Sequence, residues 1–382
     1  MPISKYYDGF RIRIHAGYDE DGKRIYVTET LRNANKKEAL KLERKLLSEM
    51  DLGLHLNKPI TFREFIDNWA IEKRNSVSVF TWISYKRLLD SYILDILGKK
   101  KLSNINSFDI SKVINIQLKK GNLSTAEHIY ILLRLIFNSA LKKDEIIKNP
   151  VLAVEKPKKP KREYTTLDPS QWQKVRSHLI KKEPKFFVPF TVSITTGMRR
   201  SEISGLKWKD IDLVSRIIKV SRAFHVVKNN LFYSDLKTDR SRRAIAIDPE
   251  TNALLIKHLA DMKDYFKKFE EPLTAESPVF TFDLINPIRP DTLTQTWARI
   301  RNELKLPKIR FHDLRHTTAS LLLGAGVPIG DVSDRLGHAT EGFTLNQYRH
   351  AVPGSQERAA KVLSKLLADQ KPNNLITLEY ES

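Results

Sequence analysis

The chain has 382 residues, enough for two or three domains that each bury their own core. A hydrophobic fraction of 41% and a mean hydropathy of −0.39 are typical of a soluble globular protein. The chain lacks cysteine, which excludes disulfides, a cysteine-ligated zinc site and a thiol nucleophile, and it favours a cytoplasmic location. No apolar run approaches the ~18 residues that a membrane span needs, so we expect no membrane association.

The charge of the chain is strongly basic. Its 66 lysines and arginines outnumber 45 aspartates and glutamates, which gives a net charge of +21. Such an excess favours a polyanionic partner, and nucleic acid is the commonest one. An anionic membrane surface is the alternative, but no basic amphipathic anchor helix stands out.

Residues 1–57 predict a small three-stranded sheet followed by one helix. Apolar residues alternate along residues 5–30 on either side of an Asp-Glu-Asp-Gly turn, and a helical spacing follows up to Gly53. Arg11 and Arg13 lie between apolar positions of one strand, so they share the face opposite the core. That face either contacts DNA or is simply solvated.

Residues 58–155 predict a four-helix domain with an excess of basic side chains. Its last helix is expected to begin with a capping box formed by Ser124 and Glu127. Residues 58–160 contain 19 basic and 10 acidic side chains. Clusters at helix ends and loops either reach DNA phosphates or only complement helix dipoles; they are Lys99, Lys100, Lys101, Lys119 and Lys120.

Residues 156–164 predict an extended basic linker. Pro157 and Pro160 exclude a helix, and the intervening Lys158 and Lys159 keep the segment solvated. A linker of this composition can lie against a duplex, so that the domains on its two sides close around the DNA.

Residues 165–382 predict a mixed α/β domain with a C-terminal tail. Asp168 followed by Pro169 marks a helix start, and Gly197 separates a long helix from a short one. Strand runs between residues 217 and 247 predict an antiparallel sheet. The later elements are expected to be helices at about 249–269, 290–305, 312–323, 328–335 and 355–368, and a strand at Leu375–Tyr380.

Several residues of this last domain suit phosphate chemistry, although none is specific alone. Arg199 at a helix start and Lys237 in a turn are each more typical of ordinary surface residues. His312, Arg315 and His316 are spaced to share one helix face. A zinc site at the two histidines lacks both the adjacent glutamate of metalloprotease helices and a third ligand of recognisable spacing.

Taken together, the order and spacing of these residues resemble the catalytic domain of the tyrosine recombinases. Gly197 and Glu202, which flank the first arginine, also match, whereas Arg200 stands where many relatives carry an apolar residue and has no assigned function. The sheet-plus-helix and four-helix segments resemble the arm-binding and core-binding domains of phage and conjugative-transposon integrases. The six matching catalytic positions are Arg199, Lys237, His312, Arg315, His338 and Tyr348.

The resemblance implies a site-specific recombinase that cleaves and rejoins DNA through a 3′-phosphotyrosine, integrating and excising a mobile element or prophage. Tyr348 would be the nucleophile, and its phenol, with an ordinary pKa near 10, needs a cationic surround to attack at neutral pH. Arg199 and Arg315 would hold the non-bridging oxygens. Lys237 resembles the general acid that protonates the leaving 5′-oxygen.

The two histidines complete the implied site. His312 would assist proton transfer from the tyrosine, and His338 would hydrogen-bond the phosphate. No metal is expected, because two arginines supply the positive charge, and no cofactor is expected, because the phosphotyrosine conserves the bond energy.

Two other functions remain open from the sequence: a type IB topoisomerase, which shares this chemistry, and a basic DNA-binding regulator without catalysis. For a recombinase, the expected partners are DNA attachment sites of core and arm type and a homotetramer assembled on them. The strand at Leu375–Tyr380 would join a neighbour's sheet. The resemblance further implies an excisionase and a DNA-bending host protein.

Overall fold

The structure is a computed structural model that describes residues 2–18, 23–51, 60–158, 164–227, 230–236, 241–338 and the single positions 340, 342, 345, 360, 361, 363 and 364. The chain divides into two compact units, residues 1–161 and 162–382. Within the described ranges, no helix is both long and apolar enough to cross a membrane.

The first unit begins with a three-stranded antiparallel sheet covered by one helix, as the sequence predicts. The strands are ordered β1-β2-β3. Ile12 and Ile14 of β2 are buried against Ala39 and Leu46 of the helix, because alternate residues of a strand point to one face. The elements are β1 (Ile3–Tyr6), β2 (Gly9–Tyr18), β3 (Arg24–Leu31) and α1 (Lys36–Asp51).

The rest of the first unit is helical and has a separate core. Thr61 caps the first helix through a capping box with Glu64, and Phe62 stacks on Phe137 of the last helix at 5.7 Å between ring centroids. A π-helical turn, Leu89–Ile93, joins α3 to α4 without a break. Counted as one continuous helix, they leave the four helices that the sequence predicts. The helices are α2 (Phe62–Ser76), α3 (Val79–Leu88), α4 (Leu94–Leu97), α5 (Ser107–Lys119) and α6 (Leu123–Lys142).

The predicted capping box at Ser124 is wrong. Gly121 adopts a left-handed conformation with φ of 74°, which turns the chain so that α6 begins at Leu123 with Asn122 as its N-cap. Ser124 therefore lies inside the first turn. Glu127 instead pairs with Lys156 at 2.9 Å.

The second unit has seven helices in the described chain, and six of them pack around a large apolar core that includes Phe190, Trp297 and Phe311. The seventh, α13, packs against α12 in a separate small cluster. Asp168 caps α7 through a capping box with Gln171, and Pro169 is the first helical residue, as predicted. The helices are α7 (Pro169–Lys182), α8 (Pro184–Thr196), α9 (Arg200–Ser204), α10 (Pro249–Lys268), α11 (Pro290–Glu303), α12 (Asp313–Gly324) and α13 (Ile329–Leu336).

The strands of this unit form two sheets rather than the single sheet that we predicted. One sheet has the order β4-β5-β8, and the other is the hairpin β6-β7. The chain changes sheet after Val220 because β6 runs close to the end of α9: a Cβ atom at Gly205 would lie 3.1 Å from the Arg222 carbonyl oxygen. The strands are β4 (Ile211–Asp212), β5 (Ile217–Val220), β6 (Arg222–Val227), β7 (Asn230–Asp235) and β8 (Arg243–Ala246).

Some sequence predictions fall outside the described residues. These include the tail strand at Leu375–Tyr380 and most of the helix at 355–368. The junction at 57/58 and residues 159–163 of the linker also lie outside, and the domain boundaries at residues 57, 155 and 164 stay predictions.

Candidate active site

The candidate site is built around a tight turn at Gly197, which ends α8. This glycine has φ of 68°, a left-handed conformation that other residues adopt only with strain. A Cβ atom here would lie 2.5 Å from Cδ2 of Leu336 and 3.4 Å from Cγ2 of Thr318. Glycine is therefore required both by the backbone and by the close approach of α12 and α13, which meet at this turn.

Arg199 follows the turn as the N-cap residue of α9. Its Nη1 donates to Oε1 of Glu202 at 2.7 Å, and its backbone N–H donates to Oε2 of the same carboxylate at 2.9 Å. Its Nη2 donates to the Gly337 carbonyl oxygen at 3.3 Å. The side chain remains 35% exposed. The guanidinium is therefore held by Glu202 and Gly337 and still accessible to a ligand.

Arg315 lies on α12, on the other side of the turn. The residue is 3% exposed, and its Nη1 donates to the Gly197 carbonyl oxygen at 2.9 Å. The helix is held in register by Thr318, whose hydroxyl donates to the Ile194 carbonyl oxygen at 2.7 Å. The hydrogen bond of Arg315 to Gly197 therefore brings it to the turn that Arg199 follows, although 116 positions separate the two arginines in the sequence.

The histidines at 338 and 312 border these arginines. His338 follows Gly337, a left-handed residue with φ of 66° that ends α13. Burial and then the charges of Arg315 and Arg199 lower the pKa of His338 to about 3. Lost hydration and the same Arg315 charge lower the pKa of His312, which is the N-cap residue of α12. Both imidazoles are therefore neutral at neutral pH and available as hydrogen-bond partners or proton acceptors.

His316, which the sequence spacing puts on one helix face with His312 and Arg315, belongs to the same cluster. It is buried, with its ring 4.1 Å from that of Tyr164 and 5.4 Å from that of His312. Burial first, and then the neighbouring His312, lower its pKa to about 4. Within the part of the chain that the structure describes, no three histidine, aspartate or glutamate side chains are grouped to hold a metal ion.

We predict that replacing His316 by glutamine flattens the pH dependence of stability. The folded pKa of about 4 lies below the ordinary value of about 6.5, so unfolding takes up a proton between these values. Stability therefore falls as the pH falls from about 6.5. Between pH 6 and 5, the free energy of unfolding should change by about 1.4 kcal/mol per pH unit less in the variant than in wild type. Urea unfolding at each pH measures this free energy. Replacing the exposed His128 by glutamine is the control; equal slopes in the His316 variant and the wild type would contradict the prediction.

Lys237 and Tyr348 lie outside the described residues, so their predicted roles stay predictions. The described strand β7 ends at Asp235 and β8 begins at Arg243, so Lys237 belongs to the connection between them. The four remaining predicted catalytic residues are brought together around the Gly197 turn: Arg199, His312, Arg315 and His338.

Behind the arginines lies a buried ion pair that the sequence analysis missed. Glu202 is 1% exposed, and its Oε2 accepts from Nη2 of Arg243 at 2.9 Å as well as from the backbone of Arg199. Burial alone raises the pKa of Glu202, but the charge and hydrogen bond of Arg243, followed by Arg199, lower it below its ordinary value overall. Glu202 is therefore an anion shared by two arginines.

Arg200 points away from this cluster. Its Nη1 donates to Oγ1 of Thr294 at 2.8 Å and lies 3.4 Å from Oδ1 of Asp291, both on the first turns of α11. It ties α9 to α11, and nothing in the structure gives it a chemical role.

The predicted DNA-contact residues are exposed or half-exposed where they are described. Arg11 stacks on the Tyr6 ring at 3.5 Å and Arg13 on the Tyr26 ring at 4.0 Å, on the sheet face opposite α1. Lys100 pairs with Asp109. The other exposed candidates are Lys99, Lys101, Lys119, Lys120 and Lys158, whereas Lys159 lies outside the described residues.

Two family models match this chain. The phage integrase family matches residues 166–354, and the N-terminal SAM-like domain of phage integrases matches residues 61–117. A tyrosine recombinase XerC-like protein of Caldanaerobacter subterraneus is 29% identical over 94% of this chain and 96% of its own length. The ICEBs1 integrase of Bacillus subtilis is 24% identical over 96% of this chain and 100% of its own length.

Solved structures share the fold. The Tn1549 transposon integrase in complex with transposon right-end DNA superposes with a TM-score of 0.68, at 23% identity, over 80% of this chain and 100% of that one. A lambda integrase dimer bound to a core site gives a TM-score of 0.56, at 19% identity, over 91% of this chain and 94% of that one. Fold, site and family matches together define an enzyme that cleaves and rejoins DNA strands. The chain belongs to the phage integrase family of tyrosine recombinases.

Proposed function

We propose that this chain is a site-specific integrase that inserts and excises a mobile element or prophage through a covalent 3′-phosphotyrosine. The observation that carries the proposal is the convergence of Arg199 and Arg315 on the Gly197 turn, bordered by His338. Two preorganised guanidinium groups beside neutral imidazoles suit a phosphodiester whose negative charge grows in the transition state.

In the proposed reaction the phenol oxygen of Tyr348 attacks the scissile phosphorus while the bond to the 5′-oxygen breaks. Arg199 and Arg315 hold the non-bridging oxygens, and Lys237 gives its proton to the leaving 5′-oxygen. His312 assists removal of the phenol proton, and His338 hydrogen-bonds the phosphate. A 5′-hydroxyl of the partner strand then attacks the phosphotyrosine, which restores the phosphodiester and releases Tyr348.

The two N-terminal domains, residues 1–57 and 58–155, would bind arm-type and core-type sites, and the linker 156–164 would lie between them and the catalytic domain. Arg11 and Arg13 are presented on an open sheet face by the tyrosines on which they stack. The exposed lysines of the helical domain and linker would contact phosphates, so affinity should fall steeply with salt.

Recombination joins two duplexes, so four active sites must assemble, and we propose a homotetramer on DNA. One related structure is a lambda integrase tetramer bound to a Holliday junction, with a TM-score of 0.55 at 18% identity. The tail at Leu375–Tyr380 would join a neighbouring subunit. An excisionase and a DNA-bending host protein would set the direction of the reaction.

The proposal predicts a covalent protein–DNA adduct. The full-length chain is incubated with suicide duplexes that carry the element's ends and a nick near the crossover, so that the short cleaved fragment with the free 5′-hydroxyl diffuses away. Wild type should accumulate an adduct that resists denaturing electrophoresis. Tyr348→Phe should bind the same duplex with similar affinity and form none, because phenylalanine has no nucleophilic oxygen.

The outcomes separate the candidate functions. Wild type that binds its cognate duplex normally but forms no adduct would leave a DNA-binding regulator. If wild type forms the adduct on any sequence and relaxes supercoiled DNA, but exchanges no strands between sites, it is a topoisomerase. An adduct that persists in Tyr348→Phe would place the nucleophile elsewhere.

A further inference from the structure

Arg243, the first residue of β8, connects three parts of the second unit. Its side chain is only 6% exposed. Nη2 donates to Glu202 at 2.9 Å, Nε donates to the Arg335 carbonyl oxygen at 2.7 Å, and Nη1 donates to the Ser241 carbonyl oxygen at 3.2 Å. A buried arginine with three separate acceptors is rigid, because the planar guanidinium fixes the direction of every bond.

The bond to Glu202 affects the charge that Arg199 offers to a phosphate. A pair of Arg199 and Glu202 alone would be neutral overall. With Arg243 included, the two guanidinium groups share one buried carboxylate, and the trio carries a net charge of +1. The Arg199 guanidinium therefore keeps attraction for a phosphate although a carboxylate lies 2.7 Å away.

The bond to Arg335 acts on the other support of Arg199. Arg335 lies in the last turn of α13, two residues before Gly337, whose carbonyl oxygen accepts from Nη2 of Arg199. Arg335 is itself fixed, since its Nη2 donates to the Thr195 carbonyl oxygen at 2.7 Å on α8. One side chain, Arg243, thus braces both groups that orient Arg199 from behind.

We propose that Arg243 is a positioning residue for DNA cleavage, which acts by holding Glu202 and the end of α13 so that Arg199 is aimed at the scissile phosphate with net positive charge. This inference rests on the proposed function. Because its side chain is buried, Arg243 would act through Arg199 and not by contacting the substrate. Its effect should therefore depend on the charge of the scissile phosphate, which is the group that Arg199 would neutralise.

The test compares the rate of adduct formation on two suicide duplexes, one with the natural phosphodiester and one with an uncharged methylphosphonate at the scissile position. Arg243→Gln should bind both duplexes within about threefold of wild type but cleave the phosphodiester about 100-fold more slowly, the scale of losing one preorganised donor. On the methylphosphonate the difference should shrink to below about fivefold, because its transition state carries one negative charge less and needs less neutralisation.

Two further variants complete the design. Arg243→Lys keeps the net charge and should recover part of the rate on the phosphodiester. Arg222→Gln is the matched control, since Arg222 forms an ion pair with the buried Asp210 in the same unit. Arg222→Gln should lower thermal stability as much as Arg243→Gln does. Its cleavage rate should change only modestly, and by the same factor on both duplexes.

Three results would overturn the inference. The first is wild-type cleavage by Arg243→Gln, and the second is an equal slowing on both duplexes, which indicates a structural role only. The third is an Arg222→Gln variant with the same charge-dependent slowing. If wild type itself forms no adduct on the phosphodiester, the proposed function fails. If wild type and Arg243→Gln both cleave it at the normal rate, only the inference about Arg243 fails.

Discussion

Replacing Arg315 by alanine is expected to slow covalent DNA cleavage by about 10²–10³-fold while DNA affinity changes little. Arg315 is almost fully buried, and one of its nitrogens is already fixed on the Gly197 carbonyl oxygen, so the guanidinium needs no reorganisation when the phosphate arrives. Arg315→Lys should lose nearly as much, because one ammonium cannot replace a planar fork with several donors. Adduct formation in a single turnover at saturating DNA measures the effect.

A control for lost arginine is available in the same unit. Arg299 is 48% exposed and pairs with Glu183, and neither residue belongs to the candidate site. Arg299→Ala should cleave at the wild-type rate. If Arg315→Ala remains folded by thermal unfolding and cleaves within about tenfold of wild type, Arg315 does not stabilise the transition state.

Replacing Glu202 by alanine is expected to destabilise the second unit by about 3–5 kcal/mol, because two arginines then face each other without the carboxylate that they share. Urea unfolding measures the loss. Glu276 is the matched control, since it is shared by Lys207 and Lys209 but is 60% exposed. Glu276→Ala should cost much less, because water screens exposed ion pairs.

The same carboxylate fixes the sign of a pH effect. Its folded pKa lies below its ordinary value of about 4.3, so the stability that it contributes is fully present above that value and is lost as the pH falls from there through the folded pKa. Glu202→Gln should therefore be less stable than wild type at pH 7, and the difference should narrow below about pH 4. Stability curves that stay parallel down to pH 3 would contradict a charged Glu202.

Much of the fold follows from local sequence signals. Alternation predicts the N-terminal sheet because Ile12 and Ile14 face α1, and Asp168 with Pro169 predicts the start of α7. The signal fails where a neighbour decides the outcome. Ser124 and Glu127 have the residue types and spacing of a capping box, but the left-handed turn at Gly121 lets the helix begin earlier, at Leu123. The division of the strands into two sheets depends on the close approach of β6 to α9, which no local pattern records.

The site shows the same division. The resemblance identifies Arg199 and Arg315, but the hydrogen bond that joins Arg315 to Gly197, two residues before Arg199, is a tertiary contact. A signal for Arg243 does exist: in the run from Arg243 to Ile247 it shares strand parity with two buried isoleucines, which predicts that it points inward. The partner that it meets there, Glu202, lies 41 residues away and follows only from the fold.

The most direct test of this account is to identify the residue that carries the DNA. The adduct trapped on a suicide duplex is digested with protease and nuclease, and the modified peptide is sequenced by mass spectrometry. We predict a single nucleotide attached through its 3′-phosphate to Tyr348, and loss of that peptide in Tyr348→Phe. Attachment to any other residue, or through a 5′-phosphate, would contradict the mechanism proposed for this integrase.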